Sequence, residues 1–403
     1  MIRLERLAGL IGHDETEEAR ASRCQACGHA GLVAFYEATS VPAQTCVLLD
    51  SEHEASAYPR GSVLLGFCEV CGFIQNIRFD SSLIDYSKPT EESQAFSPTF
   101  TLFAEALADE LVDRYQLEGK RVLEIGCGKG DFLQLLASRG IAGGVGIDPG
   151  FIPNRDTSPL LTFEREWYRA DDRDRTADLV LTRHLMEHVP NLSEFFGWLR
   201  ASTAATPGAA LVTEVPDTRR VLGEGAFWDV YHEHCSYFTL GSLARALRHA
   251  GMNVEWLRTG YADQYLLAGS VVASPGSALP NEEDIDELGE LIQVFARTAA
   301  DAVTRWRAEV AALVDRGERV AIWGGGSKAV AFVTTLGLTN VTVVDINPHK
   351  QDKWLPGTSI QVESPGVLAE RRPALVIPMN PIYVGEITGD LNKMGLSPRV
   401  VAA

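Results

Sequence analysis

The chain has 403 residues and a formal net charge of −18, and this length is enough for two or three domains with substantial hydrophobic cores. The acidity argues against a nucleic-acid partner, because such proteins carry basic surfaces, and simple solubility is the plainest reason for it. No run of about 18 apolar residues occurs, which excludes a transmembrane helix, and residues 1–20 lack the apolar core of a signal peptide. Seven cysteines, four of them in C-x-x-C pairs, indicate a reducing cytoplasm.

The N-terminal region contains two C-x-x-C turns, each followed by a glycine, with Cys24, Cys27, Cys68 and Cys71 as their cysteines. Four thiolates aimed in pairs at one ion suit tetrahedral Zn²⁺, at Zn–S distances of roughly 2.3 Å. Such an ion has no open position, so the predicted site is structural and stabilises a small domain, residues 1–82. Reactive thiols or free buried cysteines are the alternatives.

A polar, turn-rich bridge follows at residues 83–100, with Tyr86 near its start. An amphipathic helix is predicted from about residue 99 to residue 115. The bridge enters the next domain where a ligand site is expected, so it is either a linker or a mobile lid.

The centre of the chain contains a buried strand, residues 121–125, that runs into three glycines and then an apolar-periodic helix. Glycines suit a place where a strand turns sharply and its backbone approaches a ligand without a Cβ in the way. About twenty residues further on, an acid ends the second strand, where it can bind a ribose diol. The residues of this pattern are Glu124, Gly126, Gly128, Gly130 and Asp148.

Two ligands compete for this glycine-rich turn. A dinucleotide site requires G-x-G-x-x-G, but the third glycine comes one residue early and Asp131 stands where the last glycine belongs. The spacing E-x-G-x-G-x-G resembles the first motif of class I S-adenosylmethionine (SAM) methyltransferases, in which the glycines pass the methionine moiety and the acid holds the ribose. A glycine turn without any ligand is the remaining alternative.

The following segment alternates strands and helices. Strands are predicted near residues 161–164, 177–181 and 209–215, with a helix at 191–202. This order predicts a doubly wound parallel sheet in a domain of residues 83–278, with ligands at the carboxyl ends of its strands. The polar residues expected at those ends are His184, His188, Glu214 and Asp217.

The last part of the chain, residues 279–403, begins with an acidic loop and one long helix and continues as a second alternating α/β unit. Its turn at residues 324–329 satisfies G-x-G-x-x-A, and Asp345 ends the next strand. A helix N-terminus with glycines and a lysine is typical of a phosphate site, and a glycine turn that only packs is the alternative. The predicted phosphate ligands of this Rossmann-like domain are Gly326, Ser327 and Lys328.

A dense group of ionisable and aromatic side chains occupies residues 227–238, after the strand that ends near residue 215. Its histidines can take and return a proton near neutral pH, and a positioned base is worth roughly 10²–10⁴ in rate. Glu233 can stabilise an imidazolium, and Tyr231 can donate to an oxyanion. The alternative is a buried polar cluster that only holds the loop in place.

Taken together, these motifs resemble the deoxysugar C-methyltransferases, which methylate nucleotide-linked keto-hexoses next to the ketone. The resemblance covers nearly the whole chain: the cysteine turns, the bridge Tyr-x-x-x-x-Glu-Ser-Gln-x-Phe-Ser-Pro, E-x-G-x-G-x-G, His-Val-Pro and Tyr-His-Glu-His. It implies active-site roles for Tyr231, Glu233, His234 as the candidate base, His188 and, most nearly, Tyr86. One departure is Thr90, where the family often has a second bridge tyrosine.

The resemblance implies a zinc-binding domain, a class I SAM domain with His184 near the cofactor, and a C-terminal Rossmann-like domain. It also implies SAM and structural Zn²⁺ as cofactors and a nucleotide-linked sugar as the small-molecule substrate. We expect no nucleic-acid or membrane partner and a monomer or weak homodimer. In the expected mechanism, His234 takes the proton next to the ketone, while Tyr231 or His188 stabilises the enolate.

Other functions remain open at this stage. Residues 184–188 match H-x-x-E-H, a metallopeptidase motif, although Pro190 and the preceding strand argue against a supporting helix. The second glycine turn allows an NAD-dependent oxidoreductase, and a non-catalytic nucleotide-binding protein is a third class. O- or N-methylation of a related substrate needs only a base and no ketone.

Overall fold

The computed structural model of the chain describes residues 11–152, 158–169, 175–274 and 276–403. Residues 1–10, part of the segment predicted to lack a signal peptide, lie outside this range. Within the described ranges, no helix is long and apolar enough to cross a membrane.

The described residues form helices and strands that alternate along most of the chain. The helices are α1 (His13–Ala21), α2 (Glu52–Ser56), α3 (Pro98–Tyr115), α4 (Asp131–Ala137), α5 (Leu192–Ala204), α6 (Thr218–Glu224), α7 (Leu240–His249), α8 (Ile285–Asp315), α9 (Ser327–Leu336), α10 (Leu368–Arg371) and α11 (Val384–Lys393). The strands are β1 (Val33–Pro42), β2 (Arg60–Phe67), β3 (Ile74–Asn76), β4 (Arg121–Ile125), β5 (Gly143–Ile147), β6 (Leu161–Glu164), β7 (Leu179–Arg183), β8 (Ala210–Pro216), β9 (Ser236–Tyr237), β10 (Asn253–Gly260), β11 (Tyr265–Val271), β12 (Val320–Trp323), β13 (Thr342–Val344), β14 (Val362–Glu363), β15 (Leu375–Pro378) and β16 (Arg399–Val400).

The central sheet has seven strands in the order β10-β11-β8-β7-β4-β5-β6. Strands β4 to β8 are parallel, and β11 joins β8 antiparallel before pairing with β10. Strands β4, β7 and β8 are buried along nearly their whole length, as expected for parallel strands with helices on both faces. The predicted α/β fold of a class I methyltransferase is confirmed, but the sheet is mixed rather than wholly parallel as predicted, because β11 pairs antiparallel with both β8 and β10. The carboxyl ends of β4, β5, β7 and β8 form one edge.

The C-terminal sheet has five parallel strands in the order β14-β13-β12-β15-β16. Its strand order reverses beside β12, so the glycine-rich turn between β12 and α9 lies at the position where doubly wound sheets bind ligands. The long helix α8 precedes this sheet, as the sequence predicts.

The N-terminal sheet is antiparallel, and its fourth strand comes from far along the chain. The order is β1-β2-β3-β9, and β9 follows directly on the Tyr-His-Glu-His segment of the central part. Two backbone pairs, Ile74 with Tyr237 and Gln75 with Ser236, fasten that segment to β3. The N-terminal sheet therefore holds one wall of the region where chemistry is expected.

Helix α8 packs the N-terminal and C-terminal parts together. Phe295, fully buried on α8, contacts Tyr36 and Phe35 of β1 at ring-centroid distances of 5.1 and 6.1 Å. Further along the same helix, Trp306 contacts Phe332 of α9 at 5.5 Å. One continuous core cluster thus joins the N-terminal sheet, α8 and the C-terminal sheet behind the second glycine turn, whereas the residues around the first glycine turn belong to other clusters.

Candidate active site

A cavity of about 890 Å³ lies where the three sheets meet. Its walls include the turn after β4, the carboxyl ends of β5, β7 and β8, the segment before β9, and the turn before α9. Most predicted site residues outside the cysteine turns line this cavity: Tyr86, Glu124, Gly126, Gly128, Asp148, His184, His188, Tyr231, Glu233, His234, Gly326, Ser327 and Lys328.

The first glycine turn needs glycine because its backbone is left-handed. Gly126, Gly128 and Gly130 have φ angles of +74°, +54° and +81°. A Cβ at Gly126 would lie 2.8 Å from Leu185, and one at Gly130 would lie 2.5 Å from the Phe163 ring. Gly130 lies behind the cavity wall, so its place in this structure is explained by packing, whereas Gly126 and Gly128 face the cavity.

Asp148, at the end of β5, holds the first glycine turn in shape. Its carboxylate accepts hydrogen bonds from the backbone N–H of Gly128 at 2.9 Å and of Gly150 at 2.6 Å. Burial raises the pKa of Asp148, and these two hydrogen bonds oppose the rise. Each carboxylate oxygen of Asp148 keeps a second lone pair, so it can still accept a hydrogen bond from a ribose hydroxyl.

Glu124 is a buried carboxyl group at the end of β4. It is 2% exposed, and its Oε2 has no hydrogen-bond partner within the part of the chain that is described. Burial raises the pKa of Glu124 to about 8, although the nearby Arg183 opposes this shift. An orphaned buried acceptor beside a glycine cradle fits the ammonium group of an amino-acid moiety such as that of SAM.

Arg183 and His184, at the end of β7, surround the carboxylate of Glu214. Arg183 donates to Glu214 at 3.0 Å and stacks 3.9 Å above the Phe132 ring, while His184 Nε2 lies 2.8 Å from Glu214 Oε1. Burial lowers the pKa of His184, but the Glu187 and Glu214 carboxylates outweigh it and raise the value to about 9. Arg183 is not among the predicted site residues, although its position at a strand end beside a predicted ligand site was an available signal.

Two histidines and a tyrosine meet at the centre of the cavity. The rings of His188 and His234 are perpendicular at a centroid distance of 4.7 Å, and Tyr86 lies 6.3 Å from His188. Burial, reinforced by His188, lowers the pKa of His234 to about 3, so its imidazole is neutral at physiological pH. The buried Tyr86 hydroxyl has no hydrogen-bond partner among the residues whose positions are described.

The H-x-x-E-H residues do not form a metallopeptidase helix. His184 has a left-handed φ of +50°, and His188 ends a single 3-10 turn, Met186–His188. The two histidines therefore do not share the face of one helix, which the peptidase motif requires.

Tyr231 is tied into a buried ionic network. Its hydroxyl donates to Asp229 at 2.9 Å, and Asp229 also pairs with Arg220 and, at 3.0 Å, with Lys328. Although burial opposes it, Lys328 and Arg220 keep the pKa of Asp229 well below its usual range. The Tyr231 proton is therefore engaged away from the centre of the cavity.

Glu233 is held by a residue from the N-terminal part of the chain. Its Oε1 accepts hydrogen bonds from the backbone N–H of Thr45, at 3.0 Å, and from the Thr45 hydroxyl, which also lies 2.7 Å from Ser327 Oγ. Burial raises the pKa of Glu233, while His188 and the Thr45 hydrogen bonds lower it. Thr45 is 188 positions from Glu233, and no local pattern marks it as a site residue.

The predicted positive charge of the second glycine turn, that of Lys328, is already paired within the protein. Lys328 Nζ lies between Asp229 and the side-chain oxygen of Gln264, which it approaches to 3.2 Å. A different lysine, Lys350, lies with its Nζ 3.3 Å from where a Cβ on Gly326 would be and 3.9 Å from the Asp345 carboxylate. Lys350 lines the cavity but was not predicted as a site residue. It is distant from the glycine turn in sequence, and only the folding of the chain brings it close.

The four predicted zinc ligands come together away from the cavity. Cys24 and Cys71 have Sγ atoms 3.6 Å apart, Cys27 and Cys68 3.7 Å apart, and all four lie within 4.8 Å of one another. A tetrahedral Zn²⁺ site separates its sulfurs by roughly 3.8 Å, so this arrangement fits the ion.

Two protein-family models match the chain, one described as a methyltransferase domain over residues 100–256 and one as a C-methyltransferase C-terminal domain over residues 278–396. The C-methyltransferase NovU of Streptomyces niveus is 29% identical over 306 residues, which are 70% of this chain and 71% of NovU.

Two solved structures have a weaker likeness. The 1,6-didemethyltoxoflavin-N1-methyltransferase of Burkholderia thailandensis is 17% identical over 43% of this chain and 80% of its own, with a TM-score of 0.34. The magnesium protoporphyrin IX methyltransferase of Synechocystis is 13% identical over 47% and 91%, with a TM-score of 0.33. Scores this low carry no functional conclusion.

The glycine turn, the sheet and the matched domain define the class: the chain is a methyltransferase that uses SAM. The match of residues 278–396 and the similarity to NovU specify it further, as a C-methyltransferase. Its reaction thus places a methyl group on carbon, and the oxidoreductase, peptidase and non-catalytic alternatives are set aside.

We expect cofactor binding to depend on the ionisation of Glu124. Since its pKa is about 8, the affinity of the protein for S-adenosylhomocysteine should rise as the pH increases through that value, where the carboxylate begins to attract the ligand's ammonium group. Glu124→Gln should lose this rise and bind up to ~10-fold more weakly on the alkaline side. Calorimetric titration at pH values below and above 8 measures the affinity of the wild type and of Glu124→Gln. Glu118→Gln, a change at an exposed residue, is the control. A wild-type affinity that does not change with pH would contradict the assignment.

Thr45→Val tests the predicted active-site role of Glu233. The substitution removes the hydroxyl that stabilises the carboxylate, so the pKa of Glu233 should rise further and the acid limb of the kcat profile should move to higher pH. Since hydrogen bonds to charged groups contribute about 1.5–3 kcal/mol, kcat should fall at least ~10-fold. Thr45→Ser keeps the hydroxyl and should behave as the wild type; equal profiles for the valine and serine variants would show that the contact has no role.

Proposed function

We propose that this C-methyltransferase acts on the carbon next to the ketone of a nucleotide-linked keto-deoxysugar. One observation carries the proposal: a neutral imidazole, His234, lines the cavity that joins the SAM turn after β4 to the second glycine turn before α9. A ketone acidifies its neighbouring carbon, so a base placed between a methyl-donor site and an anion-binding turn suits this substrate class.

His234 is the proposed base. Its ring is unprotonated, so a nitrogen lone pair is open to the proton of the acidified carbon, but a pKa of about 3 makes the ring a weak base on its own and the transfer needs a neighbouring carboxylate. Glu187, a carboxylate whose ligand oxygen lies within 4.8 Å of the His234 and His188 nitrogens, stabilises the imidazolium once the proton has moved.

Tyr86 and His188 are the proposed partners of the developing enolate oxygen. The Tyr86 hydroxyl has no protein partner in the described ranges and can donate to a ligand, whereas the Tyr231 hydroxyl donates to Asp229. We therefore favour Tyr86 for the enolate contact and assign Tyr231 to shaping the pocket through Asp229.

SAM, when bound, supplies a methyl group on a cationic sulfonium, which the nucleophilic carbon attacks. The residues proposed to hold it are Glu124, Gly126, Gly128, Asp148 and His184, with Gly130 keeping the turn in shape by packing. The bridge residue Tyr86 and its neighbour Trp167, whose rings lie 5.4 Å apart, close the cavity on one side and limit water access.

The diphosphate of the substrate is proposed to bind at the N-terminus of α9. Helix N-termini and glycine turns attract anions, and Gly326, Ser327 and Lys328 lie there. Lys328 is paired with Asp229 at 3.0 Å, whereas Lys350 lies at the longer distance of 3.9 Å from Asp345, so we assign the positive charge that meets the diphosphate to Lys350.

Structural zinc at the four cysteines is the last part of this proposal. The Cys24 and Cys68 turns have the same geometry: Gly28 and Gly72 each donate a backbone N–H to the first cysteine of their turn at 2.8 Å. The bound ion would stabilise the sheet that carries β9 and would take no part in the reaction.

Product analysis tests the function directly. The enzyme, SAM with an isotopically labelled methyl group and a nucleotide-linked keto-deoxysugar should give a product whose label is bonded to carbon in the NMR spectrum. His234→Gln should lower turnover by about 10²–10⁴ without changing S-adenosylhomocysteine binding.

His232→Gln is the matched control, because the His232 ring faces the Ser62 carbonyl oxygen at 2.8 Å and does not line the cavity. It should keep turnover close to that of the wild type. A label bonded to oxygen, or a His234→Gln variant with full turnover, would refute the proposed reaction.

A further inference from the structure

Three potential metal ligands converge inside the cavity. Glu187, His188 and His234 each place one ligand atom so that all three lie within 4.8 Å of one another. Two nitrogens and one carboxylate oxygen are the donor set of the two-histidine, one-carboxylate sites that bind divalent transition metals with positions left open.

The two segments that carry these ligands are fixed to each other by the backbone. The Cys235 N–H donates to the Glu187 carbonyl oxygen at 2.8 Å, which joins the residue after His234 to the residue before His188. The segment with His234 is held by the pairing of β9 with β3, and the segment with Glu187 and His188 is held by the 3-10 turn Met186–His188. The ligands are therefore placed by the fold rather than by chance approach of surface side chains.

Two side-chain atoms of these residues also lack protein partners. Glu187 is 2% exposed and its Oε2 accepts no hydrogen bond, and the buried Nδ1 of His188 makes none, as far as the described residues go. Buried polar atoms without partners point to a missing water, ion or ligand. The other oxygen of Glu187 lies 3.5 Å from His184 Nδ1, which orients the carboxylate as outer contacts do in metal sites.

We infer that Glu187, His188 and His234 bind a divalent transition-metal ion, and that the bound ion blocks methyl transfer by occupying the His234 lone pair. The blocking step rests on the proposed role of His234 as the base, whereas the metal site itself does not. Metal–ligand distances near 2.1 Å place tetrahedral ligand atoms roughly 3.4 Å apart, so ligand atoms separated by up to 4.8 Å must approach one another on binding.

Metal binding is tested by equilibrium dialysis against Co²⁺ of protein that carries a single equivalent of zinc per chain, with metal analysis of the retained protein. The wild type should retain one equivalent of zinc at the cysteines and one of cobalt. Glu187→Gln, which keeps shape and removes the charge, should retain the zinc and lose the cobalt. Glu233→Gln is the matched control and should retain both, because the Glu233 carboxylate faces Thr45. No cobalt in the wild type, or undiminished cobalt in Glu187→Gln, would overturn the site.

The blocking step is tested by turnover at the same Co²⁺ concentrations. Activity should fall in parallel with cobalt occupancy and return when a chelator removes the cobalt. Cobalt that binds and raises turnover would overturn the inhibitory role and also the assignment of His234 as a free base, whereas absence of cobalt binding leaves the proposed methyl transfer intact. The two failures are therefore distinguishable.

Discussion

The candidate active site depends on the anchoring of one short segment, residues 231–237, between parts of the chain that are far apart in sequence. Thr45 donates twice to Glu233 and also contacts Ser327, so a single residue joins the loop after β1, this segment and the second glycine turn. Pairing of β9 with β3 fixes the other end of the segment. The four-cysteine cluster belongs to the same N-terminal part of the chain, so the proposed zinc ion would act on this segment through the sheet that contains β3.

Neighbouring groups set the protonation state of each histidine in the cavity. His184 lies between the carboxylates of Glu187 and Glu214, which raise its pKa to about 9, whereas His234 faces another imidazole in a desolvated place and has a pKa of about 3. The chain therefore holds one cationic and one neutral imidazole within the same cavity. Only the neutral ring of His234 can take a proton, because His184 already carries one. Histidines that line the same cavity therefore differ in the chemistry that they can perform.

Local sequence patterns predicted the parallel strands of the two α/β units and the glycine turns, because a buried strand, a glycine turn and a helix are each coded within a few residues. The parallel part of the central sheet is confirmed on this basis, including the strand near residues 161–164, whereas the N-terminal sheet and the antiparallel strands β10 and β11 were not predicted. Contacts between distant segments could not be predicted. Thr45 contacts Glu233, 188 positions away in sequence, and β9 pairs with β3 of the N-terminal sheet. The pairing of Lys328 with Asp229 neutralises the charge that the sequence predicted for the second glycine turn. The site residues themselves stay predictions, and the structure brings most of them to one cavity.

The central claim is that His234 removes a proton from the carbon next to the substrate's ketone before any methyl group is transferred. Exchange of that proton with deuterium from the solvent, in the presence of S-adenosylhomocysteine instead of SAM, measures this step alone by mass spectrometry. The account predicts exchange in the wild type that is lost in His234→Gln and kept in His232→Gln. Exchange that persists in His234→Gln, or a wild type that methylates the carbon without ever exchanging its proton, would contradict it.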